Sequence, residues 1–117
     1  MGVLDDWLNA LPAEHGRFIR PYLDRARELV PEAEQGMSYA MPALKHRGRG
    51  LIAIMPTRAG YSAYPFSGVV VALLVAEHPG LEHTKGSIHF TRERPLPMDV
   101  LERMVLAARD DVDRRLG

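Results

Sequence analysis

The chain has 117 residues, 46% of them hydrophobic and 26% charged, with fifteen basic residues against fifteen acidic ones. That is the size and make-up of a single globular domain spanning residues 1–117, able to bury a core without staples. Zero formal charge argues against a dedicated nucleic-acid binder, and the absence of cysteine removes disulfides, thiolate metal sites and thiol catalysis.

The first residues, Met1-Gly2-Val3-Leu4-Asp5-Asp6-Trp7, lack the basic start and long apolar run of a signal peptide. The longest apolar stretch, Val69 to Ala76, is too short to span a bilayer. A cytoplasmic location is expected. Val3 to Leu11 reads as a short helix with Leu4, Trp7, Leu8 and Leu11 on one stripe. From Ala13 to Val30 the apolar residues Phe18, Ile19, Tyr22, Leu23, Ala26, Leu29 and Val30 keep helical spacing. Pro21 falls inside this run, so either the helix kinks there or a new helix starts near Arg20. The reading favours a strong helix from about Arg20 to Val30, ended by Pro31.

Extended runs follow. Met37–Ala40, Ala43–His46, Leu51–Met55 and Tyr61–Phe66 read as strands, with turns at Gly48–Gly50 and Thr57–Gly60. In the last of these, Tyr61 and Ala63 fall on one face, and Ser62, Tyr64 and Phe66 on the other. Ser67 to Ala76 reads both ways. Val69, Val70, Val71 and Leu73 suit a strand, whereas Ser67 suits an N-cap and Pro79-Gly80 a helix stop. Thr84–Thr91 is the final expected strand, with Ile88 and Phe90 inward and Ser87 and His89 outward. From Pro97 to Leu116 a stripe of Leu101, Met104, Val105, Ala108 and Val112 marks an amphipathic helix. Asp99–Arg103, Asp110–Arg114 and Asp111–Arg115 are i,i+4 pairs in the favourable order. Short connections make the strands antiparallel. The expected fold is a two-layer α+β domain in which an antiparallel sheet of about five strands carries N-terminal and C-terminal helices on one face.

Three stretches carry a family resemblance. They are Pro31-Glu-Ala-Glu-Gln-Gly-Met-Ser-Tyr-Ala-Met-Pro-Ala-Leu-Lys45, Lys85-Gly-Ser-Ile-His-Phe90, and Pro95-Leu-Pro97 before the last helix. Together they resemble the YdhG-like family of small bacterial proteins, a domain of unknown function (DUF1801), over nearly the whole chain. The resemblance implies a helix at Ser67–Ala76. It also implies frataxin-like iron binding, with delivery to iron–sulfur cluster or haem assembly proteins as partners.

Iron in a chain without thiolates would be held by carboxylate and imidazole ligands. Asp24, Glu28 and Glu32 lie four apart at the end of the first long helix, beside Arg20, Arg25 and Arg27; the plain alternative is a solvated face laced with ion pairs. Glu77, His78, Glu82 and His83 surround the Pro79-Gly80 turn, with His89 in the strand beyond, and otherwise form a polar loop. Asp110, Asp111 and Asp113 have arginines in pairing register. Lys45-His-Arg-Gly-Arg49 and Arg58 form a small basic patch where backbone amides near Gly48 and Gly50 can help hold an anion. Lys85-Gly86 lacks the upstream glycines of a phosphate loop. No nucleophile elbow surrounds any serine, and no pair of acids has a hydrolase context. The alternative function is a non-enzymatic ligand- or protein-binding module on a tyrosine-lined sheet face, using Tyr39, Met41, Lys45, Tyr61, Tyr64 and Lys85.

Overall fold

The computed structural model describes residues 2–117. Helix α1 (Val3–Ala10) and helix α2 (Ala13–Leu29) come first. Four strands follow: β1 (Glu34–Ser38), β2 (Met41–His46), β3 (Arg49–Thr57) and β4 (Gly60–Tyr64). Helix α3 (Gly68–Glu77), the short strand β5 (Glu82–His83), strand β6 (Ile88–Phe90) and helix α4 (Met98–Leu116) complete the chain. The strands form one six-stranded sheet in the order β1-β2-β3-β4-β6-β5, antiparallel throughout.

Helices α1, α2 and α4 pack on the sheet, and α3 packs on α4. The inner face carries Leu44, Ile52, Ile54, Ala63, Ile88 and Phe90 into one core with Leu23, Leu101, Met104 and Val105. Alternation sends Met41, Lys45, Met55, Tyr64 and His89 to the other face, where they stay half-buried. Polar ties fix the helices. Asp5 accepts from Arg27 Nη2 and from Gln35 Nε2, each at 2.7 Å, which ties α1 to α2 and β1. Those bonds, Arg27 first, hold the Asp5 carboxyl below its ordinary range. Tyr22 donates to the Leu96 carbonyl at 2.8 Å and pins the segment before α4 to α2; burial raises its hydroxyl pKa.

Several expectations need correcting. No new helix starts near Arg20: α2 runs through Pro21 as one helix, because Ile19, Tyr22 and Leu23 anchor the turns on both sides of it in the core. The first strand is Glu34–Ser38, and Tyr39-Ala40 is a two-residue hairpin turn with both φ angles positive, at +49° and +63°. The Arg47-Gly48 turn repeats that geometry, at +54° and +79°. Ser67–Ala76 resolves as helix: Ser67 Oγ accepts from the Val70 amide at 3.2 Å and caps α3. The sheet has six strands rather than five because the Glu82–His83 pair adds to the edge of β6. The expected strand over Thr84–Thr91 shrinks to Ile88–Phe90, since Thr84 and Ser87 close a turn on each other.

Candidate functional site

The six residues assigned to a tyrosine-lined surface separate into four places. Met41, Lys45 and Tyr64 share the outer sheet face, where the Lys45 stem crosses Gly36 and its Nζ donates to the Met37 carbonyl at 3.1 Å. Tyr39 stands at the tip of the β1–β2 hairpin, 85% exposed, with its ring stacked on Phe66. Tyr61 points the opposite way from Tyr64, into the core, because the two are three residues apart on one strand. Lys85 lies in the loop between β5 and β6, against α3. No single face unites these residues.

A large groove lies between α3 and that loop. It measures about 730 Å³ and is lined by Gly68, Val71, Ala72, Val75 and Ala76 on the helix side, and by His83, Thr84 and Lys85 opposite. Helix α3 reads Gly-Val-Val-Val-Ala-Leu-Leu-Val-Ala-Glu, so it has no polar face to turn outward. Val70, Val71 and Leu74 are buried, yet Ala72 and Ala76 are exposed and Val69 is 64% exposed. A helix apolar on all sides is ordinarily covered on all sides. Lys85 is exposed and has no ion-pair partner among the described residues. The groove is thus an apolar trough with one free cation at its rim.

A second polar centre involves residues the sequence did not bring together. Arg92 Nη2 lies 2.8 Å from the Tyr61 hydroxyl and 3.2 Å from His15 Nδ1. A guanidinium only donates, so the Tyr61 hydroxyl oxygen accepts from it. The Tyr61 hydroxyl then directs its own proton to His15 Nδ1, 2.8 Å away, which assigns the imidazole proton to Nε2. Arg92 also covers the Tyr61 ring at 5.7 Å and reaches Glu14 at 3.7 Å. Tyr61 belongs to an aromatic cluster with Phe18 and Phe90, and borders clefts of about 250 and 380 Å³. His15 and Arg92 are 77 positions apart, so no local motif announces them.

The carboxylates expected to hold metal do not converge. Among the described residues no group of three or more His, Asp or Glu side chains forms a metal site. Helix α2 ends at Leu29, which leaves Glu32 off the stripe of Asp24 and Glu28, and Glu28 pairs with Arg25 at 3.1 Å. Glu77 is gripped by Arg103 at 3.1 Å, which holds its carboxyl below the ordinary value. Glu82 and His83 sit in β5, with His83 Nδ1 on the Leu81 carbonyl at 3.0 Å, while His78 caps α3 from the other side of the Pro79-Gly80 turn. His89 Nδ1 is taken by Ser62 Oγ at 2.5 Å. Of the expected acidic pairs on α4, Asp111–Arg115 forms at 3.0 Å. Asp110 turns to Arg109, and Arg103 leaves Asp99 for Glu77. Asp113 accepts from His46 at 2.8 Å and from Arg47 at 3.1 Å, and these bonds lower its pKa.

A scan of the sequence against protein-family models finds no match, and a search of curated proteins finds none. Among solved structures, the fold matches a protein of the DUF1801 family, YdhG from Bacillus subtilis, with a TM-score of 0.79. The match covers 97% of this chain and 91% of that one, at 16% identity. The chain has the YdhG-like fold. At this identity the likeness is one of backbone. The YdhG-like fold explains why the central strands and terminal helices lie where the motifs implied, and leaves the chemistry to the side chains described above. No helix among the described residues is long and apolar enough to cross a membrane.

Proposed function

We propose that this protein is a non-enzymatic binding protein whose α3 groove takes an apolar molecule with an anionic end group. The observation behind the reading is that a helix apolar on every side from Val69 to Ala76 is left uncovered along Ala72 and Ala76, next to the unpaired Lys85. Apolar burial supplies affinity, about 0.8 kcal/mol per methylene. The Lys85 ammonium supplies orientation, since an anion at the rim keeps its tail along Val71 and Val75. This keeps the earlier expectation of a ligand-binding module with Lys85, but moves it from the tyrosines to α3.

Titration with a fluorescent long-chain fatty acid and with the corresponding alcohol tests this. The acid should bind tighter, and Lys85→Ala should remove that advantage, about a tenfold loss from one charge-assisted contact. Ala72→Asp, at an exposed position, should abolish binding of both while leaving the fold intact. Equal affinity for acid and alcohol in the unsubstituted protein, or binding untouched by Ala72→Asp, would refute the groove reading. Iron delivery, the role implied by the family resemblance, has less behind it here, because Glu28 and Glu77 are committed to Arg25 and Arg103. Anaerobic ferrous titration of the same preparation decides between the two: saturable iron binding lost in Glu82→Gln would favour delivery.

A further inference from the structure

We propose that the corner formed by Tyr39, Phe66, Arg49 and Arg115 binds a nucleotide, with its base stacked on Tyr39 and its phosphate against Arg49. The sequence shows Tyr39 and the basic Lys45–Arg49 turn as separate features, and the fold makes them neighbours. Two tight turns and the approach to α3 meet there. Tyr39 and Ala40 have φ of +49° and +63°, and Phe66 has +57°. A bulky aromatic residue rarely adopts that backbone. Two aromatic residues held in that backbone in one corner, Tyr39 and Phe66, point to a position shaped by what it presents rather than by local comfort.

What it presents is a flat ring. Tyr39 and Phe66 stack nearly parallel, with centroids 5.9 Å apart and planes inclined by 15°. Phe66 lies directly on β3 because Gly50 is beneath it; a Cβ at residue 50 would come within 2.6 Å of the ring and of Ser38 Oγ. The Phe66 ring is therefore supported from below, Tyr39 rests on it, and at 85% exposure the outer face of Tyr39 is open. Beside the rings is a depression of about 170 Å³ bordered by Ser38, Gly48, Arg49 and Arg115. Arg49 has no carboxylate partner among the described residues. The acids nearby are already engaged: Asp113 by His46 and Arg47, and Asp111 by Arg114 and Arg115. An open π face with adjoining uncommitted positive charge matches a base carrying a phosphate. Neither feature alone selects that ligand.

The test is NMR titration of the full chain with adenosine monophosphate, adenosine, inorganic phosphate and a short single-stranded oligoadenylate, read at the Tyr39 ring and at the Gly48 and Gly50 amides. The monophosphate should shift these signals saturably. Tyr39→Phe should preserve binding, Tyr39→Ala should weaken it at least about fivefold, and Arg49→Ala should weaken the monophosphate but not adenosine. Tighter binding of the oligoadenylate, still dependent on Tyr39, would make a strand the source of the nucleotide, and equal binding a free nucleotide. A response to inorganic phosphate that survives Tyr39→Ala, or no saturable shift with either nucleotide probe, overturns the proposal.

Discussion

Helices α3 and α4 pack against each other, yet they relate to their surroundings in opposite ways. Along α4 the apolar positions Leu101, Met104, Val105, Ala108 and Val112 are all buried, and Arg103, Asp110, Arg114 and Arg115 face water. Its pattern and its environment agree. Along α3 there is no polar side to expose, and only Val70, Val71 and Leu74 are buried. The surplus apolar surface of α3 costs solubility and does nothing for this fold, which fits a use outside the core.

The comparison is broken most severely in the core of α4. Met104→Ala should destabilise the protein by about 2–5 kcal/mol in urea unfolding, because Met104 is fully buried and the cavity cannot close. A loss under 1 kcal/mol would mean that α4 is not the organised partner described. Acid should loosen the contact between the two helices by a smaller amount. Arg103 holds the Glu77 pKa below its ordinary 4.5, so the pair's contribution is fully present above that value and is lost as the pH falls through the lowered one. The stability difference between the unsubstituted protein and Glu77→Gln should therefore be constant from neutral pH down to about 4.5 and close below it. A difference that persists in acid would remove the ion pair as its cause. The smallest effect should come from Val69→Ser on the uncovered side of α3, within about 0.5 kcal/mol of the unsubstituted protein in the same unfolding assay. A larger loss would show that Val69 already has a partner within this fold.

Much of the architecture could be read from residue spacing. The stripe of α4 is buried as its three- and four-residue repeat requires, and Ile88 and Phe90 face inward. The first hairpin could not be read, because Tyr39-Ala40 contains none of the Gly, Asn or Asp that usually signals two positive φ angles. The site was less legible than the fold. Two-residue alternation already separated Tyr61 from Tyr64, and that signal argued against a common tyrosine face. His15 and Arg92, by contrast, meet only because α2 crosses the end of β4 next to the loop after β6.

The amino-acid order by itself determined which side of each element is apolar, since periodicity is a local property of the backbone. Only the tertiary structure decided which apolar side was left without a cover, and which charges were left without a partner. Both depend on the distances between elements far apart in the chain. That is why Val71, Lys85, Tyr39 and Arg49 acquire a meaning in the fold that their neighbours in sequence do not give them.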